Sequence, residues 1–313
     1  MSESASRYDY QFDPQGDGTA ARVCRLAGQG GGRVLELGCA AGAMSAVLAG
    51  HYGCTVTGVE YEAPAAEQAR RYCERVVQAN LDDAAWADAL EPQRFDTIVA
   101  ADVLEHLRDP LACLRRARAL LAENGRLVVS VPNIAHGGVL AALLANDFSY
   151  RETGLLDRTH IHFFTSLTLG RMLVQAGFQV DGCETVDTGP WHPEFSDYWG
   201  KLPDTVRDWL AANPAGQAYQ VVMLARPAEQ PADYVDAAQA AQPDWLAALP
   251  GNGDDAVQLA ALREALQAQA AELAAARAEC EQARSQLAAI TSSSSWRLTA
   301  GLRRLANALK SRP

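Results

Sequence analysis

Arg33-Val-Leu-Glu-Leu-Gly-Cys39, continuing through Ala40 and Ala41 to Gly42, is a short apolar run that ends in a glycine loop. A run of this kind reads as a buried strand whose C-terminal end turns tightly toward a helix. Three further runs share its character: Cys54–Glu60 (CTVTGVE), Phe95–Asp102 (FDTIVAAD) and Arg126–Asn133 (RLVVSVPN). A shorter one, Arg75–Asn80, falls third among five. Short Val-rich strands separated by helical patterns predict a parallel sheet covered on both faces. The clearest helix opens at Asp109-Pro110, an N-cap followed by proline at the first helical position. Leu111, Leu114, Ala117 and Leu121 share one of its faces, and Gly125 follows its expected end.

Beyond the fifth strand the rhythm changes. Residues 134–165 read as long and irregular, with Gly137-Gly138 and a dense polar cluster. A helix is expected over Ser166–Ala176, stopped by Gly177, with final strands over Phe178–Thr185 and Ala218–Arg226. Between these strands a short helix is expected near Pro203–Ala212. Long loops within such a domain usually carry binding elements.

Composition narrows the function. The chain has 313 residues, 49% hydrophobic and 21% charged, which excludes global disorder. Its longest uninterrupted apolar run, Val139–Ala145, is far short of a membrane span, and Met1-Ser2-Glu3-Ser4 lacks a secretory pattern, so a cytoplasmic protein is expected. The formal net charge is −11, yet Trp296–Pro313 carry five basic groups and no acid. An acidic body repels phosphate backbones and argues against nucleic-acid substrates. Seven scattered cysteines fit reduced, buried thiols, and no metal-ligand cluster is visible along the sequence, so no metal is expected.

The chemistry gathers at strand ends. About 18 residues beyond Gly42 stands Glu60, at the end of the second strand, where a carboxylate can accept from both hydroxyls of a ribose. The loop lacks the G-x-G-x-x-G spacing of dinucleotide sites, which lowers a nicotinamide-oxidoreductase reading. Taken together, VLELGCAAG (34–42), GVE (58–60), Asn80-Leu81-Asp82-Asp83 and FDTIVAADVLEHLRDP (95–110) resemble class I S-adenosylmethionine-dependent methyltransferases over residues 17–227. The resemblance implies a Rossmann-like, doubly wound α/β sheet of seven strands with the last antiparallel. It also implies S-adenosyl-L-methionine as cofactor. Glu36, Gly38, Cys39, Ala40 and Gly42 would surround its methionine part. Glu60 would hold the ribose and Tyr61 pack on the adenine. Asn80, Leu81 and Asp82 would reach the adenine edge, with Asp102, Val103 and Leu104 closing the far side.

Methyl transfer from a sulfonium to an oxygen needs alignment, dryness and, for a hydroxyl, a base. The histidines are His51, His106, His136, His160, His162 and His192. The densest cluster lies in LLDRTHIHFFT (155–165), so His160 is expected to be oriented by Asp157, with Arg158 and His106 shaping the acceptor site. An alternative is that Asp157 and Arg158 merely anchor the loop. This segment, and SSSSWRLTAGLRRL (292–305), resemble stretches of bacterial enzymes that build surface polysaccharides. That resemblance implies a saccharide hydroxyl as acceptor; a phenolic or quinone-type acceptor, or a non-catalytic scaffold, stand as alternatives.

The expected organisation is completed by a short flexible segment over 1–16, a linker over 228–255, a coiled coil over 256–290 and a basic amphipathic tail over 291–313. Leu259, Leu262, Leu266, Gln269, Leu273, Ala276, Cys280, Ala283, Leu287 and Ile290 keep the alternating spacing of a coiled-coil seam, which predicts a homo-oligomer. Trp296, Leu298, Leu302, Leu305 and Leu309 lie beside the basic groups, a pattern suited to an anionic membrane surface or a glycosyltransferase partner.

Overall fold

The computed structural model describes residues 11–234 and the single further position Gln282. The chain divides into two units, Met1–Leu249 and Pro250–Pro313. The expected coiled coil and basic tail, and the expected linker beyond 234, therefore lie outside the described residues, Gln282 apart.

Seven strands form one sheet: β1 Gly32–Leu37, β2 Cys54–Glu60, β3 Arg75–Gln78, β4 Phe95–Ala101, β5 Leu121–Pro132, β6 Phe178–Asp187 and β7 Ala218–Pro227. Their order is β3-β2-β1-β4-β5-β7-β6. Strands β1 to β5 pair in parallel, and β7 runs antiparallel to both β5 and β6. The helices are α1 Thr19–Gly28, α2 Ala43–Gly50, α3 Ala63–Ala69, α4 Ala85–Asp88, α5 Pro110–Leu120, α6 Gly137–Leu144, α7 Ser166–Gln175, α8 Ser196–Trp199, α9 Asp204–Ala211 and α10 Pro214–Gln217. None of the described helices is long and apolar enough to cross a membrane.

The apolar strands are buried on both faces because successive side chains point to opposite sides. Leu35, Ile98 and Leu127 pack in one core with Trp86, Leu114 and Phe178. Val34, Val99 and Val128 pack in the other with Val23, Leu48 and Val56. The strand order reverses between β1 and β4, and a sheet that reverses there opens a crevice at the strands' carboxyl ends. The resemblance-based architecture is thus the observed one.

Local expectations fared unevenly. Asp109 Oδ1 accepts from Ala112 N at 2.9 Å and starts α5 as expected. Gly125, however, does not follow the helix end. The helix stops at Leu120 and Gly125 lies inside β5, where Phe95 pairs with Leu121 but Thr97 with Arg126. Five residues of β5 advance against two of β4, a bulge that a buried glycine accommodates.

The stretch read as irregular contains α6. His136 Nδ1 accepts from Gly138 N at 3.2 Å at its start. The glycine pair that resembles a turn is there for close packing: a Cβ on Gly137 would lie 2.7 Å from Pro190, and one on Gly138 2.5 Å from Phe195. The first residues of the expected linker are also packed. Ala228 N donates to Gly177 O at 3.0 Å, Ala232 N to Gln179 Oε1 at 2.8 Å, and Tyr234 joins the core beside Gly170.

Candidate active site

A cleft of about 830 Å³ opens at the carboxyl ends of β1, β2 and β4. Its floor is the loop after β1. Gly38 and Gly42 have φ of +70° and +89°, and Ala40 also lies in the left-handed region at +46°. A Cβ on Gly38 would approach Val103 Cγ2 at 2.7 Å, so glycine lets the loop pass beneath the β4 end. The loop is fastened to β2 by Gly38 N and Cys39 N, which donate to Val59 O at 2.8 and 3.1 Å. Glu60 adds a side-chain clamp: its Oε2 accepts from Ala40 N at 2.9 Å and its Oε1 from Glu62 N at 2.7 Å. Each carboxylate oxygen keeps capacity for a second hydrogen bond.

Glu36 is 1% exposed and borders the same cleft. One oxygen accepts from Ser45 Oγ, while Oε1 is buried with no partner. Burial pushes its carboxyl up to about 8, against the Ser45 hydrogen bond, which lowers it. On the opposite wall Asp102 is open to the cleft but otherwise enclosed, with φ of +52°. Ser130 Oγ donates to its Oδ1 at 3.0 Å, yet burial is the larger influence and raises its carboxyl to about 6. Along the third side, Asp82 Oδ1 accepts from Arg108 N at 2.8 Å and Asn80 Oδ1 from Asp82 N at 3.0 Å.

The structure brings Glu36, Gly38, Cys39, Ala40, Glu60, Tyr61, Asn80, Leu81, Asp82, Asp102 and Val103 to this one cleft. Gly42 does not line it; it caps α2 and packs against Ala69 and Tyr72. Leu104 is fully buried in the core beneath. Met44, Gln68 and Leu107, which the sequence did not single out, complete the walls.

The acceptor-end residues divide similarly. His106 reaches the cleft, as does Thr159. His160 is not among the lining residues; it is buried behind His106, the rings meeting edge-on with centroids 4.9 Å apart. Asp157 Oδ1 accepts from Thr159 N at 2.8 Å and from Thr159 Oγ1 at 2.7 Å, so it shapes the loop. Arg158 points outward and pairs with Glu152 rather than with Asp157. His136 is fully buried and its Nε2 donates to Gly189 O at 3.0 Å; burial pushes its imidazole down to about 4, so it stays neutral at the start of α6. Glu105 is the group the sequence left unused. It is 1% exposed and neither carboxylate oxygen has a partner. A carboxylate in the short turn Leu104–His106, directly after a buried strand end, is its one signal in the sequence.

These features fit a nucleoside with a cationic amino-acid arm. Glu60 faces the cleft with acceptor capacity left, and the unpartnered Glu36 oxygen awaits a donor, which an ammonium supplies. Gly58 on β2 controls the loop from below: an added Cβ would lie 2.5 Å from Cys39 Sγ. Gly58→Ala is therefore expected to lower stability by about 1–3 kcal/mol, the usual cost of overpacking, and to weaken ligand binding. Urea unfolding together with calorimetric titration checks both effects.

A family model described as a methyltransferase domain matches residues 17–181. The chain is 28% identical over 164 residues to a ubiquinone biosynthesis O-methyltransferase of Xanthomonas euvesicatoria pv. vesicatoria, covering 51% of this chain and 68% of that one. It is 32% identical over 162 residues to the protein of the same name from Psychrobacter arcticus, covering 48% and 60%. The alignments thus span roughly two thirds of these relatives. Among solved structures, the CcbJ methyltransferase from Streptomyces caelestis matches at 21% identity with a TM-score of 0.46, over 69% of this chain and 90% of that one.

Proposed function

The chain belongs to the methyltransferase-domain family and is an S-adenosylmethionine-dependent methyltransferase, and from that premise we propose that it methylates a hydroxyl oxygen, the hydroxyl being carried by a saccharide. The cofactor supplies an electrophilic methyl on a sulfonium whose departing thioether is neutral, so little charge has to be stabilised on the leaving side. Glu36 and the loop 38–40 hold the amino-acid arm, and Glu60 the ribose. Asp82 and Asn80 border the place where the base lies. His106 and Thr159 stand at the acceptor end, where His106 bears on the hydroxyl and His160 packs behind it.

The observation that carries the saccharide reading is the position of the 155–165 segment. Through Thr159 it forms part of the cleft wall, and it is the stretch that resembles enzymes of surface-polysaccharide synthesis. A phenolic or quinone-type hydroxyl is the second reading, and the names of the curated relatives favour it. The family match ends at 181, ahead of residues 188–217, which pack against α6. Incubating the full chain with methyl-labelled cofactor separates the two readings. Label recovered in hydroxyl-bearing oligosaccharides supports the first; label confined to a dihydroxybenzene ring selects the second. Transfer only to nitrogen or carbon acceptors would overturn both.

A further inference from the structure

Glu105, His106 and His160 come from two segments more than fifty residues apart in sequence, yet each offers a ligand atom within 4.8 Å of the others. Two ligands of one ion are separated by at most about 4.4 Å, twice a metal–ligand bond, so movements of a few tenths of an ångström bring them into range. The arrangement is fixed by backbone. Ile161 N and His162 N donate to Glu105 O at 2.8 and 3.1 Å, clasping the 155–165 segment onto the Leu104–His106 turn.

The imidazoles are oriented as metal ligands usually are. His106 Nδ1 lies 3.2 Å from Thr159 O and His160 Nδ1 3.3 Å from Leu155 O. A carbonyl only accepts, so each Nδ1 carries the proton and each Nε2 the lone pair. Glu105 contributes the anion. Its two oxygens are buried without a partner, an arrangement that costs several kcal/mol unless the charge is neutralised.

We propose that Glu105, His106 and His160 bind one divalent transition-metal cation at the acceptor end of the cleft. One carboxylate and two imidazoles suit manganese, cobalt or zinc better than magnesium or calcium, which favour oxygen ligands throughout. Three protein ligands leave coordination positions open, and His106 borders the cleft, so the acceptor hydroxyl occupies an open position. There the ion lowers the hydroxyl's pKa. The O–H proton passes to solvent water, the oxygen pair forms the new bond to the methyl carbon, and the carbon–sulfur pair stays on sulfur. No change of metal oxidation state is involved. This role rests on the hydroxyl-methylation reading, whereas the binding site itself does not.

The test is a titration of the full chain with Mn²⁺, following the free ion by electron paramagnetic resonance, alongside S-adenosylhomocysteine calorimetry. Wild type is expected to take up one ion per chain. Glu105→Gln and His160→Ala are each expected to weaken that uptake at least tenfold while retaining S-adenosylhomocysteine binding, which also shows that they fold. Wild type that binds no Mn²⁺, or variants that bind it equally well, would overturn the site. If Mn²⁺ binds as expected but hydroxyl acceptors are never methylated, the site stands and the functional reading falls.

Discussion

Replacing Glu60 with Ala is expected to reduce cofactor affinity by about 10²–10⁴-fold. The side chain does two jobs that are lost together. Its oxygens accept from Ala40 N and Glu62 N, which ties the glycine loop to the end of β2. Their remaining lone pairs are the acceptors offered to the ribose hydroxyls. Hydrogen bonds to a charged acceptor contribute about 1.5–3 kcal/mol each, so losing two ribose contacts alone corresponds to roughly 3–6 kcal/mol. Release of Ala40, held at positive φ, adds the freedom of a loop that must be re-ordered on binding. Calorimetry with S-adenosylhomocysteine reads the loss directly. Glu60→Gln, which keeps the shape and one acceptor, is expected to fall between wild type and Ala. Equal affinity in wild type and the Ala variant would remove Glu60 from the site.

Glu36 is expected to make the ligand-free protein lose stability as pH rises toward 8. Its carboxyl is raised from 4.5 to about 8, chiefly by burial. Between those values the folded chain holds a proton that the unfolded chain releases, so folding is progressively penalised as pH rises. At about 1.4 kcal/mol per pH unit, the scale is at most a few kcal/mol. Asp102, raised to about 6, acts in the same direction but finishes earlier. His136, lowered to about 4, acts oppositely, since it must charge on unfolding; its contribution is complete above its ordinary value of 6.5. Burial also raises Glu105, which acts in the same direction, so the Glu36 share between pH 6.5 and 8 is read as the difference between wild type and Glu36→Gln. Denaturant midpoints are expected to decline across that window more steeply in wild type than in Glu36→Gln. The variant gains stability at pH 8 and loses cofactor affinity, because a neutral amide cannot pair with an ammonium. Saturating S-adenosylmethionine is expected to flatten the wild-type decline. Parallel pH profiles for the two proteins would show that Glu36 stays ionised without its ligand.

The cofactor half was legible because its signals are local. The glycine loop, Glu60 and Asn80-Leu81-Asp82 each sit at a strand end, and parallel pairing in register brings strand ends together. The two exceptions, Gly42 and Leu104, lie one turn from the cleft: one shapes the start of α2, the other faces into the core. The acceptor half depends on chain returning from a distance. Nothing around Glu105 indicates that Ile161 and His162 will hydrogen-bond to its carbonyl, so its partnership with His160 could not be read from spacing. His160 stands in the densest polar cluster of the sequence, but its place behind His106 follows from that same clasp. Arg158 was expected to face the site and instead pairs with Glu152 at the surface. Helix α6 was hidden by Gly137-Gly138, whose missing side chains serve Pro190 and Phe195 some fifty residues onward. In each case the deciding neighbour was distant in sequence.

The cleft between β1, β2 and β4 is expected to bind S-adenosylmethionine. The most direct measurement is a calorimetric titration of the full chain with S-adenosylhomocysteine at pH 7.5, repeated with Glu60→Ala. Saturable binding of one molecule per chain, lost or greatly weakened in the variant, is the predicted result. Absence of binding up to millimolar ligand in folded wild-type protein would contradict it.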